Sequence, residues 1–205
     1  MCKFFAITKT FSVYIRLPVK VDLFRFRWYC MQRKAGVRMK IRKMTRCAML
    51  AALLAVCAWI SVPVGDQAVT LQTFAVFLTL GLVGGRLGTV TVLVYLLLGA
   101  VGLPVFAGVR GGISVLLGPT GGYLWGFVLT CLVCWGLENR LPRCGCFALG
   151  LLCCYICGTA WYYFAYATGA LWPVILTCVV PYLIPDAMKV ILALFLTEKL
   201  NRLVR

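Results

Sequence analysis

The chain has 205 residues, 63% of them hydrophobic, with 21 Lys and Arg against 5 Asp and Glu. A mean hydropathy of +0.97 excludes an ordinary soluble domain and makes one polytopic membrane domain the natural outcome. The net charge of +16 does not point to nucleic acid: 13 of the 21 cations precede Cys47 and the rest punctuate the ends of apolar runs, so no soluble basic face remains.

Residues 1–46 mix basic and aromatic side chains (Phe24, Arg25, Phe26, Arg27, Trp28, Tyr29) without a clear helical or strand period. Two readings stay open for this arm. It lies on an anionic membrane surface, or translation begins at Met39 or Met44 and residues 1–38 are a start-site artefact. The second is favoured, because Met39-Lys40-Ile41-Arg42-Lys43 reads as a short cytoplasmic start, leaving a membrane domain at 39–205.

A first span is expected from Cys47 to Val62. Its small residues Ala48, Ala51, Ala52 and Ala55 form small-xxx-small pairs, a face suited to close packing inside the bundle or against a partner membrane protein. A polar turn at Gly65-Asp66-Gln67 leads to a second span, Val69 to Gly85, which stops at Arg86. A third covers Leu87 to Leu103, a fourth Tyr123 to Leu137, and a fifth Cys146 to Thr168, ending in the aromatic cluster Trp161–Tyr166. The segment Gly169 to Ile184, broken by Pro173 and Pro181, is expected to be irregular or shallow. Pro185 then opens the last span, which ends near Lys199. The fold class is thus all-α integral membrane, a six-helix transmembrane bundle. Nineteen of the 21 cations fall on the side of the termini, so both termini are expected in the cytoplasm.

Between the third and fourth spans lies GLPVFAGVRGGISVLLGPTGGY, Gly102 to Tyr123, with seven glycines, two prolines and one arginine. Glycine and proline oppose helix, and irregular backbone at membrane depth needs protein or a watery cavity to cover its polar groups. This extracellular loop is expected to fold over a small-molecule site, with Arg110 directed into it and backbone at Gly111 and Gly112 close to the ligand. Asp186 and Lys189, three residues apart, share one helix face near the outer end of the last span. Charges inside a span are costly and face a cavity or each other. With Arg110 and the Tyr123 phenol they suit a ligand that has both a carboxylate and N–H donors. A mutual salt bridge that merely pins the helix is the plainer alternative.

Twelve cysteines accompany no histidine. Cys131/Cys134, Cys144/Cys146 and Cys154/Cys157 have the spacings of metal or redox motifs, but most sit in apolar helical runs, where thiols pack as small hydrophobes. No catalytic residue, metal site or resident cofactor is expected. A membrane-embedded transferase or a ligand-free assembly protein remain the competing classes.

Three stretches carry a resemblance: Ala100–Gly108 with Gly111-Gly112, then Leu117–Tyr123 (LGPTGGY), then Pro185-Asp186-Ala187-Met188-Lys189. Together they resemble the BioY family, the biotin-specific substrate-binding (S) components of energy-coupling factor (ECF) transporters, over residues 39–199. The resemblance implies a bacterial plasma-membrane bundle that captures biotin at its outer face. It implies a transmembrane coupling protein and two cytosolic ATPases as partners, with the alanine face of the first span as the docking surface. It also implies Asp186 on the ureido N–H groups and Lys189 or Arg110 on the carboxylate or carbonyl. A close biotin precursor fits the same pattern.

Overall fold

The computed structural model describes residues 23–64, 67–167 and 170–204, so Asp66 and residues 1–22 of the basic arm lie outside the described residues. Met1–Arg42 and Lys43–Arg205 are separate compact units. Helix α1 is Leu23–Trp59; its part from Lys43 onward belongs to the second unit, which carries every later element. The arm is therefore helical from Leu23 on, despite its missing apolar period, because Arg, Lys, Met and Gln are good helix formers in any pattern.

After α1 come strands β1 (Ser61–Val64) and β2 (Gln67–Thr70). They pair antiparallel, with Ser61 opposite Thr70 and Val62 opposite Val69. The sequence reading ended one span at Val62, placed a polar turn at Gly65-Asp66-Gln67 and began the next span at Val69, without strands on either side of the turn; the β-branched Val62, Val64, Val69 and Thr70 favour a pleated surface. Helix α2 (Gln72–Ala100) contains the next reversal, at Gly84, whose φ of 79° and ψ of 171° lie outside the helical region. Gln72 Nε2 stands 3.1 Å from Tyr95 Oη, whereas 23 residues of straight helix would separate them by about 34 Å. The two limbs, 72–83 and 85–100, therefore fold back on each other as two of the expected spans, joined two residues before Arg86.

Helix α3 (Ile113–Leu116) lies in the glycine-rich segment, followed by α4 (Gly121–Leu137), α5 (Arg143–Ala165), α6 (Leu171–Cys178) and α7 (Val180–Val204). Among the described residues, Gln72–Ala100, Arg143–Ala165 and Trp172–Leu203 are long and apolar enough to cross a membrane, and Gly121–Leu137 is a shorter apolar helix. The segment expected to be irregular is helix α6, and α7 begins five residues ahead of Pro185, which sits inside it. Proline nitrogen has no hydrogen to give the Pro181 carbonyl, yet Pro181 itself falls in the first turn, where no donor is needed.

Packing rests on small residues. On α4, Gly122 and Gly126 face α5: a Cβ on Gly122 would lie 2.3 Å from Trp161 Cβ, and one on Gly126 3.0 Å from Cys154 Sγ. The partner helix answers with Gly158, where a Cβ would stand 2.3 Å from the Tyr123 ring. Such close approach substitutes for the hydrophobic drive that lipid removes. On α1, Ala51, Leu54 and Ala58 are buried in the bundle, whereas Ala48 and Ala52 face outward and Ala55 is half-buried. The four alanines proposed as one docking face thus divide, and Ala51 belongs to the interior.

Candidate functional site

The last helix sorts its residues by face. Tyr182, Asp186, Val190, Ala193 and Thr197 point inward, while Ile184, Met188, Ile191 and Phe195 point outward. That four- and three-residue spacing is the helical period, and it carries Asp186 to the interior with only 6% of its surface exposed. Both carboxylate oxygens are engaged. Lys189 Nζ donates to Oδ1 at 2.8 Å across the i,i+3 spacing, and the Tyr155 hydroxyl of α5 donates to Oδ2 at 2.8 Å. The mutual ion pair foreseen as the plainer alternative is present, and it is also part of a cavity wall.

That cavity holds about 450 Å³, within the range of small-molecule sites. Asp186, Lys189, Tyr155 and Tyr182 line one part of it, and Phe127, Leu124, Leu151 and Cys154 supply apolar wall. Gln72 and Thr73 open onto it from the start of α2, and Ser61, Val69 and Thr70 from the β-hairpin. Phe106, Gly108 and Arg110 reach it from the glycine-rich segment.

Of the residues anticipated from sequence, Asp186, Lys189, Arg110 and Tyr123 all border this one cavity. Tyr123 also donates its hydroxyl to the Cys178 carbonyl at 3.1 Å. Arg110 is exposed and folds back over its own turn, since a Cβ on Gly108 would lie 3.4 Å from its Nε. Gly111 and Gly112 are not among the lining residues. Their task is closure of the segment: a Cβ on Gly111 would lie 2.2 Å from the Leu103 carbonyl oxygen, and Gly112, at φ 101°, donates its N–H to Gly99 at 2.7 Å.

The glycine-rich segment is held from several directions. Trp59 Nε1 donates to the Pro104 carbonyl at 2.8 Å, Tyr95 Oη to that of Val105 at 2.9 Å, and Trp161 Nε1 to that of Gly118 at 3.1 Å. The Phe106 ring packs edge-on to Tyr95, with centroids 5.6 Å apart, over Gly99, where a Cβ would strike it at 2.0 Å. Between Phe106 and Arg110, which pair as a bridge, Gly108 and Val109 take φ of 70° and 58°. A β-branched residue there is strained, and strain of this kind gathers where structure over-determines a ligand-facing turn.

Sequence reading missed Gln72, Thr73, Tyr155 and Tyr182. The signals were available for three of them: Gln72-Thr73 is a polar pair opening an apolar run, and Tyr155 lies mid-span, ahead of the aromatic cluster near the helix end. A second cavity of about 510 Å³ lies at the Gly84 reversal, bordered by Glu138, Asn139, Arg143 and Asn201. Glu138, Asn139 and Arg143 are exposed there, and it has no buried charge to orient a ligand, so the first cavity is the better-built site.

Comparison with known proteins bears on this geometry. The BioY family model matches residues 31–205, beginning inside the 1–38 extension proposed from sequence. A probable biotin transporter BioY of Pyrococcus horikoshii is 39% identical over 163 residues, covering 80% of this chain and 98% of that protein. The biotin transporter BioY of Thermotoga maritima is 50% identical over 93 residues, so the match spans 45% of this chain and about half, 55%, of that relative. Among solved structures, the S-component for biotin from an ECF-type ABC transporter superposes with a TM-score of 0.73 at 25% identity, over 80% of this chain and 93% of that one.

Proposed function

The chain belongs to the BioY family, and from that premise we propose that it is the biotin-capturing membrane subunit of an ECF-type transporter. One observation carries the reading: a buried carboxylate with two oriented donors, Lys189 and Tyr155, stands in the wall of an apolar-sided cavity of about 450 Å³. Biotin has a ureido ring with two N–H donors, a carbonyl and an apolar chain ending in a carboxylate. Asp186 accepts from the ureido N–H groups, Lys189 lies within reach of the ureido oxygen, and Phe127, Leu124 and Leu151 border the apolar remainder. The chain does no chemistry on its ligand; ATP hydrolysis belongs to partner subunits, with a transmembrane coupling protein between.

Orientation follows the charges. Arg86, Arg140, Arg143 and Arg202 flank the Gly84 end of the bundle, where Gly85 N–H meets Glu138 at 2.8 Å, while Arg110 stands at the cavity end. By the positive-inside rule the Gly84 end faces the cytoplasm and the cavity faces out. Docking to the coupling protein then uses the outward alanines, Ala48 and Ala52, together with Met49 and Val56 on the same stripe of α1.

Equilibrium binding of labelled biotin to the detergent-purified full chain tests the proposal. Saturable binding at one biotin per chain is expected, displaced by unlabelled biotin; no saturable binding contradicts it, and stronger displacement by a precursor lacking the sulfur ring would reassign the ligand. Tyr155→Phe removes the donor to Asp186 Oδ2 while keeping the ring. Hydrogen bonds to charged groups contribute about 1.5–3 kcal/mol, so this variant is expected to weaken biotin about 10-fold at unchanged stoichiometry. Unchanged affinity would make that bond irrelevant to the site.

A further inference from the structure

The cavity of about 510 Å³ at the Gly84 reversal shares no lining residue with the first. Leu80, Leu82 and Leu141 give it apolar wall, and Asn139, Arg143 and Asn201 give it donors. Arg86, Arg140 and Arg202, all exposed, directly follow the lining residues Gly85, Asn139 and Asn201 in the chain, so with Arg143 four arginines gather at one opening. Among the described residues none of the four is in an ion pair, and the side-chain amides of Asn139 and Asn201 have no hydrogen-bond partner. Negative charge is scarcer here. Glu138 borders the cavity, but its Oε2 accepts from the Gly85 N–H at 2.8 Å, at the start of the second limb of α2, where a helix favours an anion. Glu198 and Lys199, adjacent and exposed on α7, offset each other in net charge.

The positive-inside rule accounts for cations at this end, but not for a cavity among them, nor for the place of Arg143. That residue is the first of the 23-residue helix α5, whose first turn holds no acidic side chain and whose N-cap, Pro142, makes no side-chain cap. The first α5 amide to close a bond is that of Cys146, to the Pro142 carbonyl at 3.1 Å. A cation on the positive end of a long helix is the unfavourable arrangement. An anion seated between the two turns that repulsion into attraction, and a guanidinium matches a phosphate with two parallel donors.

The geometry points to a headgroup site for an anionic phospholipid of the cytoplasmic leaflet. Its phosphate is held by Arg143 and the amides of Asn139 and Asn201, and its glycerol and first acyl carbons lie along Leu80, Leu82 and Leu141. A free phosphate would leave that apolar wall unused, whereas a lipid uses both halves. Basic pockets between helices on the cytoplasmic side suit such headgroups. The site stands apart from the biotin reading and holds whatever the first cavity binds.

Native mass spectrometry of the full chain, released from neutral detergent and titrated with phosphatidylglycerol or phosphatidylcholine of the same acyl chains, tests it. One phosphatidylglycerol per chain is expected to bind about 10-fold more tightly than phosphatidylcholine. Arg143→Gln should cut that preference to less than about 2-fold. Lys199→Gln removes the same charge from the same end without touching the cavity wall, and should keep the preference. Thermal unfolding in lipid-free detergent shows whether each variant is folded. If Arg143→Gln is not, the uncharged change Asn201→Ala decides, with an expected loss of about 3- to 5-fold in phosphatidylglycerol affinity. No preference in the unaltered chain would leave the cavity to a partner protein's acidic side chains and overturn the inference. Equal losses in Arg143→Gln and Lys199→Gln, or full affinity in Asn201→Ala, would also overturn it. Displacement of the lipid by millimolar inorganic phosphate would assign the site to a free anion instead.

Discussion

Asp186→Ala is expected to lower biotin affinity by about 100-fold or more, the largest effect of any single change in the cavity. The carboxylate is 6% exposed and holds partners on both oxygens, so the ligand meets an acceptor already fixed in direction. Loss of charge-assisted bonds to the ureido N–H groups amounts to about 3 kcal/mol, which is about 100-fold in affinity. Truncation also leaves Lys189, 14% exposed at its side chain, without its counter-charge, and breaking a buried pair costs about 3–5 kcal/mol. Two further variants separate these effects. Asp186→Asn keeps the volume and one acceptor and should retain a folded chain with weakened binding. Asp186→Ala with Lys189→Ala removes the orphaned charge, so thermal stability should recover towards that of the unaltered chain while binding does not. Full affinity in Asp186→Ala would remove the carboxylate from the site. Isothermal titration and thermal unfolding in the same detergent read both quantities.

Gly85→Ala should be strongly destabilising. A Cβ at that position would lie 2.3 Å from the Trp135 Cα and 2.7 Å from its nitrogen. These are backbone atoms of α4, which no rotamer change can move, so α2 and α4 must separate. Overpacking of this kind costs about 3 kcal/mol, which for a chain of this size corresponds to a fall in Tm of about 6–12 °C. Gly136→Ala is the matched control, because a Cβ there meets nothing within 4 Å. Its expected effect is neutral or slightly stabilising, since alanine is the better helix former. Equal melting temperatures for Gly85→Ala and Gly136→Ala would show that the α2–α4 contact is not tight.

Hydropathy made the spans legible because each apolar run is bounded by charge or by glycine and proline. It placed the α2 reversal within two residues of Gly84, since the chain there reads Gly84-Gly85-Arg86. The β-hairpin was invisible for the opposite reason: Val62, Val64 and Val69 are as apolar as the helices beside them, and hydropathy does not report backbone pairing. Pro185 misled the start of α7, because a proline that opens a helix and one that sits inside it have the same sequence context.

The cavity residues divide in the same way. Asp186 and Lys189 stood out as charges in an apolar run, and Arg110 as the lone cation of a glycine-rich segment. Tyr155, Gln72 and Thr73 are neutral, so their sequence signal is weaker, and the bonds of Tyr155 to Asp186 and of Gln72 to Tyr95, with the place of Thr73 in the cavity wall, bring them out. Gly111 and Gly112 belong to the segment that reaches the cavity but are not among the residues that line it. They let the chain pack on Leu103 and Gly99, and so set the position of Phe106 and Arg110.

A structure of the full chain with biotin bound is the most direct measurement. The account predicts the vitamin inside the cavity walled by Asp186, Tyr155 and Phe127, with its ureido nitrogens within hydrogen-bond distance of the Asp186 carboxylate. Biotin found beside Glu138 and Asn201 at the Gly84 end, or on the outward face of α7 near Met188, would contradict it.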